Sequence, residues 1–336
     1  MKKKDLNAFM SDYQTEWRAK NLNIRGNGKH NGKSYPWILP HQNWEEGLWA
    51  GVRTPLSSYL SQRTIKVHSG VNNLKSSWIL CANLYFPFCQ DLDLLKRFFV
   101  EELSLPIMEV LEVELEYAAD PPLDPATLLG ESKGIRGQNQ TSPDIAFIVK
   151  TTKGRRGIIL NENKFTEDHF YRCSGRDNKY GNPDTKRCMN FRKVLGHPEE
   201  ECFQMQWNRP KRRYWDWLKP RFNDEARGIF KCCPAAKHGY QLFRQQALGE
   251  ALAKMADYDL VVSSVSYDRR NDKLVSSLAK TGIGHFSEWG KMFSGKVIFK
   301  TFTHQQWIQF IEKQNDRSWD SWLHYVKNRY QFDIIR

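Results

Sequence analysis

The sequence has no uninterrupted run of about 18 apolar residues, the length a bilayer-spanning helix needs, so no membrane partner is expected. Its opening, MKKKDLNAFMSDYQTEW, is basic but carries no apolar core of a secretory leader, which makes a cytoplasmic location the expectation. Neither a G-x-G-x-x-G turn nor Walker A spacing is present, so nucleotide hydrolysis is not expected. The seven cysteines form no C-x-x-C knuckle, and in a reducing compartment structural disulfides are not expected of them. Internal repeats and low-complexity tracts are also missing, which leaves a globular chain. Acidic residues are in deficit: 38 Asp and Glu face 51 Lys and Arg, a net +13 that suits a polyanionic partner such as DNA.

Hydrophobic residues make up 40% of the chain, enough for a substantial core, and 336 residues suit one large domain with additions. Residues 1–70 read as an N-terminal arm and cap. The first 45 are polar and irregular, with a basic stretch from Arg25 to Lys33. Residues 46–105 read mostly as helices, with Pro87 interrupting SSWILCANLYFPF and DLDLLKRFFVEEL. MEVLEVELEY (108–117) alternates as a strand. After a Pro- and Gly-containing loop, IAFIV (145–149) and GIIL (157–160) flank a polar turn and read as a β-hairpin. Residues 166–239 hold five of the seven cysteines and read as an insertion with little regular structure except near Tyr214 to Leu218. YQLFRQQALGEALAKMA (240–256) predicts an amphipathic helix, and DLVVSSVSY (259–267) a buried strand that closes a core spanning 71–268. Residues 269–336 supply a strand, KVIFKTF (296–302), and two aromatic-rich helices. The order is that of a mixed α/β fold around one sheet.

The chemistry concentrates in the hairpin. Its first strand opens with Pro143-Asp144 and its second closes with Glu162-Asn163-Lys164. Alternation puts Glu162 and Lys164 on one face. Folding about Gly154 sets 150 opposite 158 and 144 opposite 164, which brings Asp144 to the same end, whereas a one-residue slip would scatter the three. Two close carboxylates repel unless a cation lies between them, and hard oxygen ligands suit Mg²⁺ or Mn²⁺. The alternative is a surface hairpin with an ordinary Glu–Lys pair.

This pattern resembles the PD-(D/E)XK nuclease superfamily, and within it a bacterial nuclease-like family. The similar stretches are LKSSWILCANLYFP (74–87), VELEYAAD (113–120), ENKFTED (162–168) and YQLFRQQAL (240–248), within residues 65–265. The resemblance implies a restriction-endonuclease-like αβββαβ core with a mixed sheet, here with an N-terminal helical cap, the Cys-rich insertion and C-terminal helices. It implies a Mg²⁺-dependent deoxyribonuclease, an endonuclease with a role in host defence or restriction alongside other subunits. Asp144 and Glu162 would be metal ligands and Lys164 the water-orienting residue. Glu116 would be a further acidic ligand, or else a surface carboxylate sharing its face with Glu112 and Glu114. Gln241 would stand near the site, and Arg244, three residues on and so on the same helical face, would meet nucleic acid. The insertion of about seventy residues before that helix departs from a minimal core of the kind the superfamily shares.

Cys173, Cys188, Cys202 and Cys232 could hold structural Zn²⁺ or an iron–sulfur cluster, or be buried free thiols. WNRPKRRYWDWLKPR (207–221) places Lys211, Arg212, Arg213 and Trp215 where they could stack on bases and meet phosphates, or form a packed aromatic helix. Two rival functions stay open: a non-catalytic DNA-binding or scaffold subunit, and an RNA-directed nuclease, since aromatics stack on either strand type.

Overall fold

Five apolar segments pair into one mixed sheet in the computed structural model, which describes residues 5–207 and 210–332. Met1 to Lys4 of the basic opening, and Asn208 and Arg209 of the basic aromatic run, lie outside the described residues. The strands are β1 (Ile107–Leu115), β2 (Ile145–Thr151), β3 (Arg156–Lys164), β4 (Leu260–Tyr267) and β5 (Ile298–Thr303), and their spatial order follows the chain. β2 runs antiparallel to both β1 and β3; a tight turn joins β2 to β3, whereas residues 116–144 join β1 to β2. β4 runs parallel to β3, and β5 to β4, which demands long crossovers. The insertion and a helix make the first.

The long helices are α1 (Leu6–Asn21), α2 (Ala50–Gln62), α3 (Ser77–Leu84), α4 (Leu92–Glu101), α5 (Tyr240–Met255), α6 (His304–Lys313) and α7 (Asp320–Tyr330). Two cores result, one on each face of the sheet. On one face Phe98, Phe99, Phe147, Trp307 and Trp322 pack with residues of α1 to α4, α6 and α7. On the other, α5 and the insertion bury Ala146, Ile148, Ile158 and Leu160 beneath Trp215, Phe222 and Phe243. No helix among the described residues is long and apolar enough to cross a membrane.

Several expectations need correction. The first 45 residues are not an irregular arm throughout, because residues 6–21 form α1. Asp5 caps it by accepting from the Ala8 amide at 2.8 Å, and Leu6, Met10, Gln14, Trp17 and Arg18 make a buried stripe at helical spacing. A polar average had concealed that stripe. α1 docks on α7, with Gln14 Nε2 donating to the Arg329 carbonyl at 2.7 Å. The insertion contains the helix Tyr214–Leu218, and also Phe191–Gly196, Pro198–Glu201, Phe203–Gln206 and Asp224–Ile229. Each is too short to show a period in sequence. α5 is not amphipathic in effect: Leu242 to Leu252 are buried almost all round, Arg244 excepted, since the insertion covers the outer face.

The hairpin register also differs. Ile145 faces Asn161 and Lys150 faces Arg156, two residues tighter than the expected 150 to 158 pairing. A shift of two preserves the face of every side chain, so the convergence survives.

Candidate active site

Along β2 and β3 the even-numbered residues Ala146, Ile148, Ile158 and Leu160 face the α5 side, and Asp144, Glu162 and Lys164 continue that face past the apolar run. Glu162 and Lys164 are 6% and 2% exposed. Such charges are tolerated inside only when paired. Lys164 Nζ donates to Glu162 Oε1 at 2.8 Å, and Gln241 Nε2, from the first turn of α5, donates to the same oxygen at 2.5 Å. Asp144 Oδ2 accepts the Asn163 amide at 2.7 Å, which locks the two strand ends together.

The odd-numbered residues of the motif strand serve the opposite face. Asn161 donates to Ser266 Oγ at 2.9 Å and accepts from Ser264 Oγ at 2.9 Å, while Asn163 accepts from Ser266 Oγ and donates to the Ser77 carbonyl. This polar ladder explains the serines of the buried strand VVSSVSY. The side-chain amides of Asn161 and Asn163 are thereby satisfied at both ends.

Glu116 does not share the solvent face of Glu112 and Glu114. Its backbone is left-handed at φ 48°, which ends the alternation and turns the side chain inward. The segment stays paired, since the Glu116 amide donates to the Asp144 carbonyl and the Tyr117 amide to that of Pro143. Arg136 braces the bend through Glu114 at 2.8 Å and the Leu115 and Glu116 carbonyls. Arg63 instead engages Glu112. Glu116 is 7% exposed and lines the same cleft as Asp144, Glu162 and Lys164, a cavity of about 440 Å³.

Burial, and then the neighbouring Glu162, push the Asp144 carboxyl well above the usual carboxylate range. The same two causes push Glu116 up to about 8. Against its own burial, Lys164 is held above its ordinary value by Glu162, Glu167 and Asp144. The surrounding carboxylates thus favour its charged form. Carboxylates whose charged forms are disfavoured by burial and by one another are what a bound cation would relieve. Gln241 Oε1 is buried without a hydrogen-bond partner, an oxygen left free for a ligand. Asp144 and Glu162 thus fit as direct ligands of Mg²⁺ or Mn²⁺. Oxygens of Asp144, Glu116 and Glu162 do not all lie within 4.8 Å of one another, so Glu116 fits as a ligand acting through water, which suits an ion that keeps several.

Arg244 reaches the cleft from α5 but is not a free cation. It donates to Thr141 Oγ1 at 2.8 Å and stands 3.5 Å from the buried Glu131, which also accepts from Thr141 and from the Tyr214 hydroxyl. Sequence reasoning missed His304. It is wholly buried behind the motif, with Nε2 against the Lys164 carbonyl at 2.8 Å and Nδ1 against the Tyr85 hydroxyl at 2.9 Å. Lying 140 residues from Lys164, it left no local signal. Tyr171, whose ring centre is 5.5 Å from Lys164 Nζ, was missed for a similar reason: it begins the irregular insertion.

Other expected residues are placed elsewhere. Trp215 is 1% exposed, packed between Phe222 and Phe243, so it is a core residue and not a base-stacking platform. Arg212 is used on the Gly130 carbonyl at 2.6 Å, Arg213 pairs with Asp216 at 3.1 Å, and Lys211 is exposed; none of the three lines the cleft. The cleft's rim is formed instead by Lys29 and His30 of a two-stranded ribbon (residues 29–34), by His68, whose imidazole burial favours in its neutral form, and by Lys75, which also donates to Asn7 and Ser11. That ribbon turns at Asn31-Gly32, both at positive φ. All seven cysteines are free, and Cys173, Cys188 and Cys202 share a cavity with Cys233 rather than with Cys232.

Comparison with known proteins bears on this site. The family REase-ARP, described as Restriction Endonuclease associating with ARP, matches residues 10–331. The likeness therefore takes in the N-terminal and C-terminal helices as well as residues 65–265. No curated protein and no solved structure matches the chain. The chain belongs to the REase-ARP family, and a restriction-endonuclease-like family is the right setting for its carboxylate–lysine site.

Proposed function

We propose that this member of a restriction-endonuclease family is a Mg²⁺- or Mn²⁺-dependent nuclease that hydrolyses DNA phosphodiester bonds at Asp144, Glu162 and Lys164. The observation that carries this reading is the meeting of these three residues with Gln241 on one face of the sheet, at the floor of a cleft with a basic rim. We read β1, β2, β3, α5 and β4, with α4 before them, as the αβββαβ core.

Asp144 and Glu162 would hold the ion. When bound, it supplies a Lewis acid for a phosphoryl oxygen and acidifies water for attack. The chain's own groups do the positioning. The Asn163 amide fixes Asp144, and Gln241 and Lys164 fix Glu162. The ammonium of Lys164 orients a water by hydrogen bonding and offsets charge that grows on the phosphoryl oxygens. His304 holds the strand carbonyl behind Lys164, so the lysine enters the cleft from a fixed backbone. Lys29 and His30 at the cleft rim would receive the flanking phosphates.

The family description names association with ARP, and we extend that partnership, and a role in host defence, to this chain. The test is cleavage of matched DNA and RNA with Mg²⁺ or Mn²⁺ by the wild type, Glu162→Ala and Lys164→Ala. DNA cleavage that needs the ion and falls at least about 100-fold in both variants is expected. Equal cleavage by all three proteins would move the active site elsewhere. Cleavage confined to RNA would replace the substrate.

A further inference from the structure

Four thiols from four separate segments of the insertion converge on one enclosed space. Cys173, Cys188, Cys202 and Cys233 line a cavity of about 20 Å³ roofed by Phe243 and Trp215. That is room for about one water-sized sphere. Buried free cysteines are common, so convergence needs support from what surrounds the sulfurs.

The segments are tied together beside the sulfurs: the Cys173 amide donates to the Ala235 carbonyl at 2.8 Å and the Cys233 amide to the Cys188 carbonyl at 2.9 Å, while the Arg176, Met205 and Ala236 amides close turns on the carbonyls of Cys173, Cys202 and Cys233 at 3.0 Å. Gln204 Nε2 donates to Cys173 Sγ at 3.5 Å. A neutral thiol is a weak acceptor, whereas a thiolate rewards such a donor. Arg176, Arg212 and Arg244 are near enough to act on the cluster, and their charge offsets that of several thiolates.

We propose that Cys173, Cys188, Cys202 and Cys233 bind one structural Zn²⁺ that ties the four segments of the insertion to each other and to α5. The cavity has room for a single ion and not for an iron–sulfur core. No three of the sulfurs lie within 4.8 Å of one another, whereas a zinc tetrahedron with 2.3 Å bonds has sulfurs about 3.8 Å apart. The ring therefore contracts on binding, and the thiol protons leave to solvent as the ion enters. Cys232, although adjacent to Cys233, lies outside the cavity and is not a ligand. The site is independent of the proposed nuclease chemistry, so Glu162→Ala retains its zinc.

The experiment is metal analysis of the full-length chain, expressed with zinc and purified under reducing conditions without chelator. The comparison is wild type, Cys232→Ser and Cys233→Ser. About one zinc per chain is expected in the wild type and in Cys232→Ser, with little in Cys233→Ser. Because Cys233→Ser could lose its fold, a second reading uses the wild type alone: a mercurial reagent should release the zinc as about four thiols react. Wild-type protein that neither contains nor takes up zinc would overturn the proposal. So would iron with a visible charge-transfer band, or loss of metal from Cys232→Ser with retention in Cys233→Ser.

Discussion

Replacing Glu116 with glutamine should make the metal-free protein more stable. Its carboxyl is buried beside Glu162 and pushed up from 4.5 to about 8. A carboxyl raised in this way favours the fold while protonated. That contribution is complete below about pH 4.5 and is lost as the pH rises through about 8. At pH 7.5 the deficit is at most about 4 kcal/mol, from three pH units at about 1.4 kcal/mol each. Water in the cleft and the repulsion shared with Glu162 reduce it to about 1–3 kcal/mol. Glutamine keeps the shape and carries no charge. In a chain of this size 1 kcal/mol moves the melting temperature by about 2 °C, so Glu116→Gln should gain about 2–6 °C at pH 7.5. The gain should shrink by about half on going to pH 6, because the deficit builds up with the pH interval above 4.5 and that interval is then half as wide. Added Mg²⁺ should narrow the gap. At about ten times its dissociation constant an ion adds about 1.4 kcal/mol, or about 3 °C, to the wild type, and much less to a variant lacking one acidic ligand. Differential scanning fluorimetry with and without Mg²⁺ reads both effects. A variant less stable than wild type without metal, or an undiminished Mg²⁺ shift, would refute the placing of Glu116 as an acidic member of the site.

Two further predictions concern groups around the cleft. Arg244→Met should cost about 3 kcal/mol, seen as a lower urea midpoint, because it leaves the buried Glu131 without its cation; an unchanged midpoint would mean that Thr141 and Tyr214 suffice for that carboxylate. Burial lowers His304 to about 4, so its neutral form contributes stability above pH 6.5 that is lost as the pH falls toward 4, and His304→Gln should flatten that acid limb in melting curves. A parallel acid limb in both proteins would count against a neutral imidazole between Tyr85 and Lys164.

Much of the site was legible because side-chain parity is robust. The hairpin was read two residues out of register, yet Asp144, Glu162 and Lys164 stayed on one face, since only an odd slip exchanges faces. Gln241 was legible only through the family resemblance, since the insertion separates its helix from the hairpin and no local pattern ties the two together. What failed lay where periodicity carries no information. The short helices of the insertion never complete enough turns to show one, and Trp215 reads alike as a stacking surface or a core residue until its neighbours are known. The choice between Cys232 and Cys233 is one of parity too, but in a segment with no regular structure to define it.

Glu116 shows where alternation misleads and why. As a regular strand residue it would join Glu112 and Glu114, which are met by Arg63 and Arg136 and have ordinary structural partners. One residue at φ 48° breaks the sequence of faces and brings a third carboxylate against two others at the floor of the cleft. Both the left-handed backbone and the crowded charge oppose folding. A chain selected for stability alone would place glycine and a neutral side chain there. The bend is nevertheless pinned by three donations from Arg136 and by continued pairing to Pro143 and Asp144. Stabilising contacts spent on holding an unfavourable carboxylate in place argue that the carboxylate itself is what the structure is built to present.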